Sequence, residues 1–447
     1  MKKSGRKWSE ATMIFNREAE TMSRKEIEAV QLERLKRIVR YCYDNVKLYH
    51  DRFDSIGLDP DKIKTLSDIQ YIPPTTKDDL RDNYPFGLFA VPRSKVVRIH
   101  ASSGTTGKPT VVGYTRNDLN MWSEIMARII SAAGVTEEDM AQICFGYGLF
   151  TGALGLHYGL ERVGAAVVPS SSGNSEKQIM LMKDFGTTTL IATPTYALYL
   201  GELAHELGYR REDLKLRIGL FGSEGCTTEM SAKIEDRLGL FATDNYGMSE
   251  LIGPGVSGEC ELRCGLHIAE DHFLAEIVDP DTLEAKAEGE SGELIVTTLT
   301  KEAMPLLRYR TRDLTRMNKE PCACGRTMAR MDKVMGRSDD MLKIKGVNVF
   351  PSQIESVLMP VEQISPHYML YVRHEGYTDT LEVKVELVDA SLLASYRDLE
   401  NLTAAIRHRL RTVLGIDAKV SLVEPKSIER FAGKAKRVVD LRHSQNA

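Results

Sequence analysis

The sequence predicts an α/β protein: a large body on doubly wound sheets, with a helical lead-in and a smaller α+β unit at the C-terminal end. Three observations predict it. Between residues 141 and 246, short apolar runs alternate with helix-period stretches, the pattern of parallel strands joined by crossover helices. Residues 1–90 follow the 3.6-residue period of amphipathic helices instead. Beyond Gly336 the pattern becomes two-residue alternation followed by one long helical stretch. A chain of 447 residues, 42% hydrophobic and 27% charged, suits a folded globular protein and excludes a disordered or collagen-like one. At roughly 100–200 residues per domain, that length allows about two to four domains.

Over residues 24–40, Ile27, Val30, Leu32, Leu35, Ile38 and Val39 fall near one helical face. Pro73-Pro74 ends that pattern, and Thr75-Thr76 then offers a cap for a helix containing Asp78 and Asp79. In the middle region, Ile143-Cys144-Phe145, Ala165-Ala166-Val167-Val168, Thr189-Leu190-Ile191-Ala192 and Ile218-Gly219-Leu220-Phe221 read as strands buried on both faces. Ser175-Glu176 opens a helix that stops near Gly186. Thr193-Pro194 supplies an N-cap and a first-turn proline for another that runs toward Gly208. Ligands of such a sheet sit at the carboxyl ends of its strands. Near the C-terminal end, residues 368–372 and 381–388 alternate as strands across the turn-prone Glu375-Gly376. A helix over 399–414 and a strand over 419–423 follow. The expected division is residues 1–335 and 336–447, with the junction within 336–340.

Lys plus Arg number 59 against 63 Asp plus Glu, a formal net charge of −4. That balance argues against general nucleic-acid affinity. No apolar run approaches the ~18 residues that suggest a membrane span. The basic start Met1-Lys2-Lys3-Ser4-Gly5-Arg6-Lys7 lacks the apolar core of a secretory signal. A cytoplasmic protein without membrane or nucleic-acid partners is expected. The seven cysteines are too few for a disulfide scaffold. Cys42, Cys144 and Cys226 are scattered, whereas Cys260/Cys264 and Cys322/Cys324 form close pairs, with His267 beside the first. Such clustering favours metal, and Cys₃His is a recognised structural zinc set. Five candidates for four places leave one spare.

The densest local signal is Ala101-Ser102-Ser103-Gly104-Thr105-Thr106-Gly107-Lys108-Pro109-Thr110. Its glycines permit a tight turn whose N–H groups converge on phosphate, while the four hydroxyls of Ser102, Ser103, Thr105 and Thr106 and one lysine add donors and charge. A Walker loop fails here in two ways. Ser102 stands where that motif needs its first glycine, and Pro109 disfavours helical geometry at Lys108. The loop should therefore run into the strand Thr110-Val111-Val112-Gly113-Tyr114.

Four further segments follow in order: Tyr246-Gly247-Met248-Ser249-Glu250, Tyr309-Arg310-Thr311-Arg312-Asp313, Gly336-Arg337-Ser338-Asp339-Asp340 and Gly433-Lys434. With these the chain resembles the adenylate-forming superfamily of acyl-CoA synthetases, firefly luciferase and peptide-synthetase adenylation domains. Phe145-Gly146-Tyr147-Gly148-Leu149-Phe150-Thr151-Gly152, Glu270-Asp271-His272-Phe273 and Lys345-Gly346-Val347-Asn348-Val349-Phe350-Pro351 bring it closer to phenylacetate-CoA ligases.

The resemblance implies an adenylate-forming domain with a small mobile C-terminal domain. It also implies a two-step reaction, in which a carboxylate and ATP give acyl-AMP and pyrophosphate and coenzyme A then gives the thioester and AMP. Two anions must meet in the first step, so cation clamps and fixed donors matter more than a strong base. By resemblance, Ser103, Gly104, Thr105, Thr106, Gly107 and Lys108 hold the β- and γ-phosphates. Glu250 is the Mg²⁺ ligand, and Ser249 or a neighbouring hydroxyl touches the α-phosphate. Asp313 accepts hydrogen bonds from the ribose, and Arg337 contacts ribose or phosphate. Ser223 and Glu224 border adenine, as do Asp244, Asn245 and Tyr246, and Gly247 and Met248 belong to the same nucleotide-binding run. Lys434 bridges carboxylate and α-phosphate, Asp339 is the hinge, and Gly346 lies at the pantetheine tunnel.

Phe145, Tyr147, Phe150, Asn245, Gly253 and Pro254 are the expected acyl pocket, with phenylacetate the default acid. Asn245 replaces an apolar residue of close relatives. An amide unpaired against a bare phenyl ring would be costly, which points to tolerance for hydroxyphenylacetate or indoleacetate. The resemblance favours Cys260, His267, Cys322 and Cys324 as zinc ligands and implies a homodimer. Transfer to a carrier protein instead of coenzyme A is the nearest alternative. A zinc-ribbon nucleic-acid binder with an NTPase domain would need a basic face and a Walker loop. A non-catalytic nucleotide sensor would not need both Glu250 and Lys434.

Overall fold

The computed structural model describes residues 13–102, 109–345, 347–375, 378–431 and 435–442. Among these residues, no helix is long and apolar enough to cross a membrane.

The two longest helices of the lead-in are Arg24–Asn45 and Lys47–Ile56, the first started by a capping box between Ser23 and Glu26 and the second ended by Gly57 in the left-handed region. Ile27, Leu35, Ile38 and Val39 are buried as their spacing predicts, but Val30 and Leu32 are only partly so. Buried Gln31 lies between them, its amide donating to the carbonyls of Glu270 (3.0 Å) and Phe273 (3.3 Å). Ahead of this helix, Glu20 makes a fully buried ion pair with Arg326 at 2.6 Å.

Among the described residues the largest sheet has nine strands. Its parallel part runs Ala166–Val168, Met140–Ile143, Thr189–Ala192, Ile218–Gly222 and Phe241–Met248 in spatial order. The strand order reverses between Met140–Ile143 and Thr189–Ala192. Period-two alternation divides the strand side chains between two layers. Ala141, Ile143 and Ile191 pack with the helices Arg116–Ala132 and Gly152–Val163; Leu190, Ala192 and Phe221 pack with Ser175–Asp184, Pro194–Glu206 and Thr228–Leu238. That is the doubly wound arrangement, continued by the antiparallel strands Gly253–Glu259, Leu266–Ile268, Arg330–Met331 and Met317–Asn318. Asn174, not Ser175, caps the helix it precedes, with its own φ at 47°.

Phe273–Val278, Gly292–Thr298, Tyr309–Thr315 and Gly336–Arg337 make a second, antiparallel sheet. The C-terminal unit pairs Ile364–Glu375 with Thr378–Leu387 antiparallel and adds Lys419–Val423 and Val438–Asp440 in parallel. The helices Pro351–Leu358 and Tyr396–Leu414 accompany this sheet. The small unit touches the body through His367 and Glu202 (2.9 Å), Lys426 and Glu206 (2.9 Å), and Thr227 and Glu355 (3.3 Å).

Candidate active site

The strands Arg98–Ala101 and Val111–Tyr114 form a hairpin with Ala101 opposite Val111, closed by a hydrogen bond from the Ser102 amide to the Thr110 carbonyl at 3.0 Å. Pro109 therefore leads into a strand and not a helix. Ser103, Gly104, Thr105, Thr106, Gly107 and Lys108 lie outside the described residues, as do Gly346, Gly433 and Lys434.

The carboxyl ends of the parallel strands gather several expected nucleotide-binding residues. Ser223 turns the chain after Ile218–Gly222 with φ at 74°. Glu224 follows, one oxygen accepting from the Thr195 amide (2.7 Å) and the other from the Ala435 amide (3.2 Å). One strand over, burial pushes the Asp244 carboxyl up to about 7 despite the nearby Lys333 ammonium, with Glu259 adding to the rise. Asn245 is buried, and its amide donates to the Phe221 carbonyl at 2.6 Å. One N–H of the amide is thus committed to the neighbouring strand within the sheet.

Further along the same strand, the Tyr246 hydroxyl donates to Asp313 at 2.6 Å. Arg337 donates to the other Asp313 oxygen at 3.2 Å and forks onto Asp339 at 2.8 and 2.9 Å. A pairing of Asp313 with Arg337 across neighbouring strands sets this geometry. Sequence motifs 67 residues apart (Tyr246 and Asp313) are thereby joined in one chain of hydrogen bonds. Burial first, and then the Asp313 carboxylate, hold the Tyr246 phenol well above its usual range.

After Met248 the chain turns sharply through Ser249 to Pro254. Gly247 has no room for a side chain, since a Cβ there would run into the Gly253 carbonyl. Gly253 has φ at 103°, and a Cβ on it would come within 2.6 Å of the Trp122 ring. The Ser249 hydroxyl shares a hydrogen bond with Thr151 at 3.0 Å. Glu250 is 4% exposed, and Lys77, at the start of the helix Lys77–Asp82, brings its ammonium to 4.0 Å from the carboxylate. A buried carboxylate beside a hydroxyl pair is a hard-oxygen donor set that fits Mg²⁺ held jointly by protein and phosphate. Lys77 and Lys301 carried no recognisable motif; the only hint of Lys77 was its place after the Thr75-Thr76 cap.

Of the expected acyl-pocket residues, Phe145 is buried, and its ring lies 6.4 Å from that of Phe150 at 59°. Phe150 is 38% exposed, so it stands at an open edge rather than inside a wall. Tyr147 is hydrogen-bonded through its hydroxyl to His157 at 3.0 Å, and His157 in turn to Glu161 at 3.1 Å. The Trp122 indole donates to the Pro254 carbonyl at 2.7 Å and fixes the other side.

Cys260, His267, Cys322 and Cys324 are buried together, with their ligand atoms all within 4.8 Å of one another. Cys264 is exposed and drops out. His267 places Nε2 3.5 Å from the Cys324 sulfur, while its Nδ1 is buried without a hydrogen-bond partner. A hydrogen bond from Cys260, and then His267, hold the Cys324 thiol well below its usual range. Four soft or borderline ligands at this spacing fit a tetrahedral zinc ion. The neighbouring Glu270-Asp271-His272-Phe273 segment is structural. Asp271 ion-pairs with Arg128 at 2.9 Å, and His272 hydrogen-bonds Thr300 at 2.7 Å.

With this geometry in place, comparison with known proteins gives a consistent likeness. The profile of the family described as AMP-binding enzyme matches residues 9–300, and that of the AMP-binding enzyme C-terminal domain matches residues 346–442. The chain is 51% identical over 426 residues to the phenylacetate-coenzyme A ligase of Escherichia coli (strain K12), covering 95% of this chain and 97% of that one. It is 48% identical over 445 residues to that of Thermus thermophilus, covering 96% and 100%. Among solved structures, 2-hydroxyisobutyryl-CoA ligase in the postadenylation state in complex with 2-HIB-AMP superposes with a TM-score of 0.91 at 28% identity, covering 97% and 93%. The same ligase in complex with 2-HIB-AMP and CoA in the thioesterification state gives 0.71 at 29% identity, covering 95% and 92%.

Proposed function

The chain belongs to the AMP-binding enzyme family, and from that premise we propose that it activates phenylacetate for transfer to coenzyme A. The protein is an AMP-forming acid–thiol ligase. In the first step a carboxylate oxygen bonds to the α-phosphorus of ATP, and the bond to the β-phosphate bridging oxygen breaks as pyrophosphate leaves. In the second, the coenzyme A thiolate attacks the acyl carbonyl, and AMP departs with the electron pair of the broken C–O bond.

The observation that carries the site assignment is the Tyr246–Asp313–Arg337–Asp339 chain. Tyr246 and Arg337 donate to opposite oxygens of Asp313 and so fix the direction of its carboxylate, which in this reading accepts from the ribose hydroxyls. Ser249 and Thr151 face the α-phosphate in this reading, and residues 103–108 wrap the departing pyrophosphate. Glu250 would hold Mg²⁺, which supplies charge neutralisation at the phosphate oxygens. Lys434 offsets the repulsion between the two reacting anions. Phe145, Tyr147, Phe150, Gly253 and Pro254 border the phenyl ring. The likeness to phenylacetate-coenzyme A ligases supports an unsubstituted ring.

Cys260, His267, Cys322 and Cys324 would hold a structural zinc ion away from the chemistry. The greater likeness to the postadenylation-state structure supports a C-terminal unit docked for the first step, with the division of the chain falling within 336–340 and Asp339 as pivot. A cytoplasmic homodimer completes the proposal, and sedimentation of the purified protein checks the dimer.

Pyrophosphate release measured over a panel of acids, with and without coenzyme A, tests the substrate. Phenylacetate should give the highest kcat/KM, and AMP release should require coenzyme A. A higher value for hydroxyphenylacetate, indoleacetate or benzoate would refute the assignment. In the same assay, Lys434→Ala should lose adenylate formation while still converting pre-made acyl-adenylate to thioester.

A further inference from the structure

The turn that carries Glu250 makes few backbone hydrogen bonds of its own, yet its carbonyls are held from beneath by side chains. The Lys301 ammonium donates to the Leu251 carbonyl at 2.7 Å and to the Glu250 carbonyl at 3.3 Å. The Tyr114 hydroxyl donates to the Ile252 carbonyl at 2.8 Å. These two donors support each other, since the Lys301 ammonium lies 4.9 Å from the centre of the Tyr114 ring. Tyr114 is stacked on Trp122 at 5.1 Å and 14°, and the Trp122 indole holds Pro254.

Lys301 is only 2% exposed, and the carboxylates of Asp118 and Glu250 favour its charge without making an ion pair with it. A buried ammonium with no carboxylate in contact is disfavoured unless other groups accept its hydrogen bonds. Here two carbonyls and an aromatic face do so, and both carbonyls belong to the turn around Glu250. A neutral side chain would fill the same space at lower desolvation cost.

We propose that Lys301 is a positioning residue for adenylation: with Tyr114 beside it, its ammonium pins the carbonyls of residues 250–252 and so fixes the direction in which the Glu250 carboxylate meets the triphosphate and its metal ion. This rests on the reading of Glu250 as the Mg²⁺ ligand. The same lysine ties the turn to the segment that leads into Tyr309–Thr315, the strand of Asp313.

Mn²⁺ used in place of Mg²⁺, titrated against protein and ATP and followed by electron paramagnetic resonance, reads this directly. Amide hydrogen exchange over residues 249–254 accompanies it. Lys301→Met should weaken Mn²⁺ in the ternary complex by about tenfold or more and speed exchange in the turn, as loss of a charge-assisted hydrogen bond predicts. AMP affinity should stay within about twofold, and Lys301→Arg should recover most of the Mn²⁺ affinity because it keeps charge and donors. Tyr114→Phe, which removes one hydroxyl, should weaken Mn²⁺ by about threefold. Unchanged Mn²⁺ affinity in Lys301→Met, or an equal loss of AMP affinity, overturns the proposal. Should Lys301→Met fail to fold, unchanged Mn²⁺ affinity in Tyr114→Phe overturns it. Glu250→Gln separates the two readings: if that variant keeps its Mn²⁺ affinity, the assignment of Glu250 is at fault and not that of Lys301.

Discussion

Asp313 has both carboxylate oxygens engaged, by Tyr246 at 2.6 Å and Arg337 at 3.2 Å, before any nucleotide arrives. An amide in its place could accept at only one atom and would set an N–H against Arg337. Asp313→Asn should therefore raise KM for ATP by about tenfold to a hundredfold, the effect of losing charge-assisted hydrogen bonds. Steady-state kinetics with saturating acid checks this. Asp244 gives a prediction of a different kind. Its carboxyl is raised from 3.8 to about 7, so the folded protein binds a proton more tightly than the unfolded chain between those values. That contribution to stability is complete below about pH 4 and is lost as pH rises through about 7. Asp244→Asn should abolish this part of the slope, and urea midpoints of the two proteins should be close near pH 4 and diverge as pH rises through about 7, the wild type falling below the variant. Individual residues were unevenly legible in the sequence. Asp313, Tyr246 and Glu250 stand out in the sequence because each sits in a short motif with fixed neighbours. Lys301, Trp122 and Lys77 were missed because their roles depend on contacts with segments far along the chain, which no local pattern encodes. Asn245 stands out in the sequence as a polar residue, but its bond to the carbonyl of a neighbouring strand is not encoded locally.

At the scale of elements, the alternation of apolar runs with helix-period stretches locates three of the four central strands to within one residue, while the first, expected over 143–145, lies at Met140–Ile143. Their division between two helical layers follows from side-chain alternation within each strand. What the pattern could not give is the antiparallel continuation of the large sheet, whose last strands are two or three residues long. The metal-ligand loop lies beside them. Cys322 and Arg326 close it through a backbone hydrogen bond at 2.9 Å, and Arg326 is anchored in turn by Glu20. Cys322→Ser should yield protein without stoichiometric zinc by elemental analysis and with a Tm lower by roughly 5–10 °C. Its kcat for adenylation should remain within about twofold, since loss of a metal far from the reacting atoms acts on stability. Zinc-free wild-type protein of unaltered Tm would remove the metal from this account.

At the scale of the whole molecule, the small unit rests on the body through a mixture of polar and apolar contacts. Glu224 reaches the Ala435 amide, Arg437 donates to Thr195 at 3.2 Å, and Thr227 donates to Glu355. These contacts are between groups 128 to 242 residues apart in sequence, which is why the residue pattern marks two units but not how they meet. Ala435 follows Lys434 directly, so the Glu224 contact holds the chain beside the proposed adenylation lysine. The proposed pivot at Asp339 is placed differently. Asp339 is tied to Arg337 here, and any rotation of the small unit must rearrange the backbone next to that fork. Asp339→Pro restricts that backbone and should slow thioester formation from acyl-adenylate at least tenfold more than it slows pyrophosphate release. Equal effects on both half-reactions, measured by single turnover, would place the pivot elsewhere.

The buried pair of Glu20 and Arg326 has a consequence for how the chain is made. Its members are 306 residues apart, and each is stranded without the other. At about 5–20 residues per second, the ribosome takes roughly 15–60 s to traverse that interval. Throughout it the earliest helices have no partner for their acidic anchor. The body therefore cannot close from its N-terminal end as it emerges; its first residues are among the last to settle.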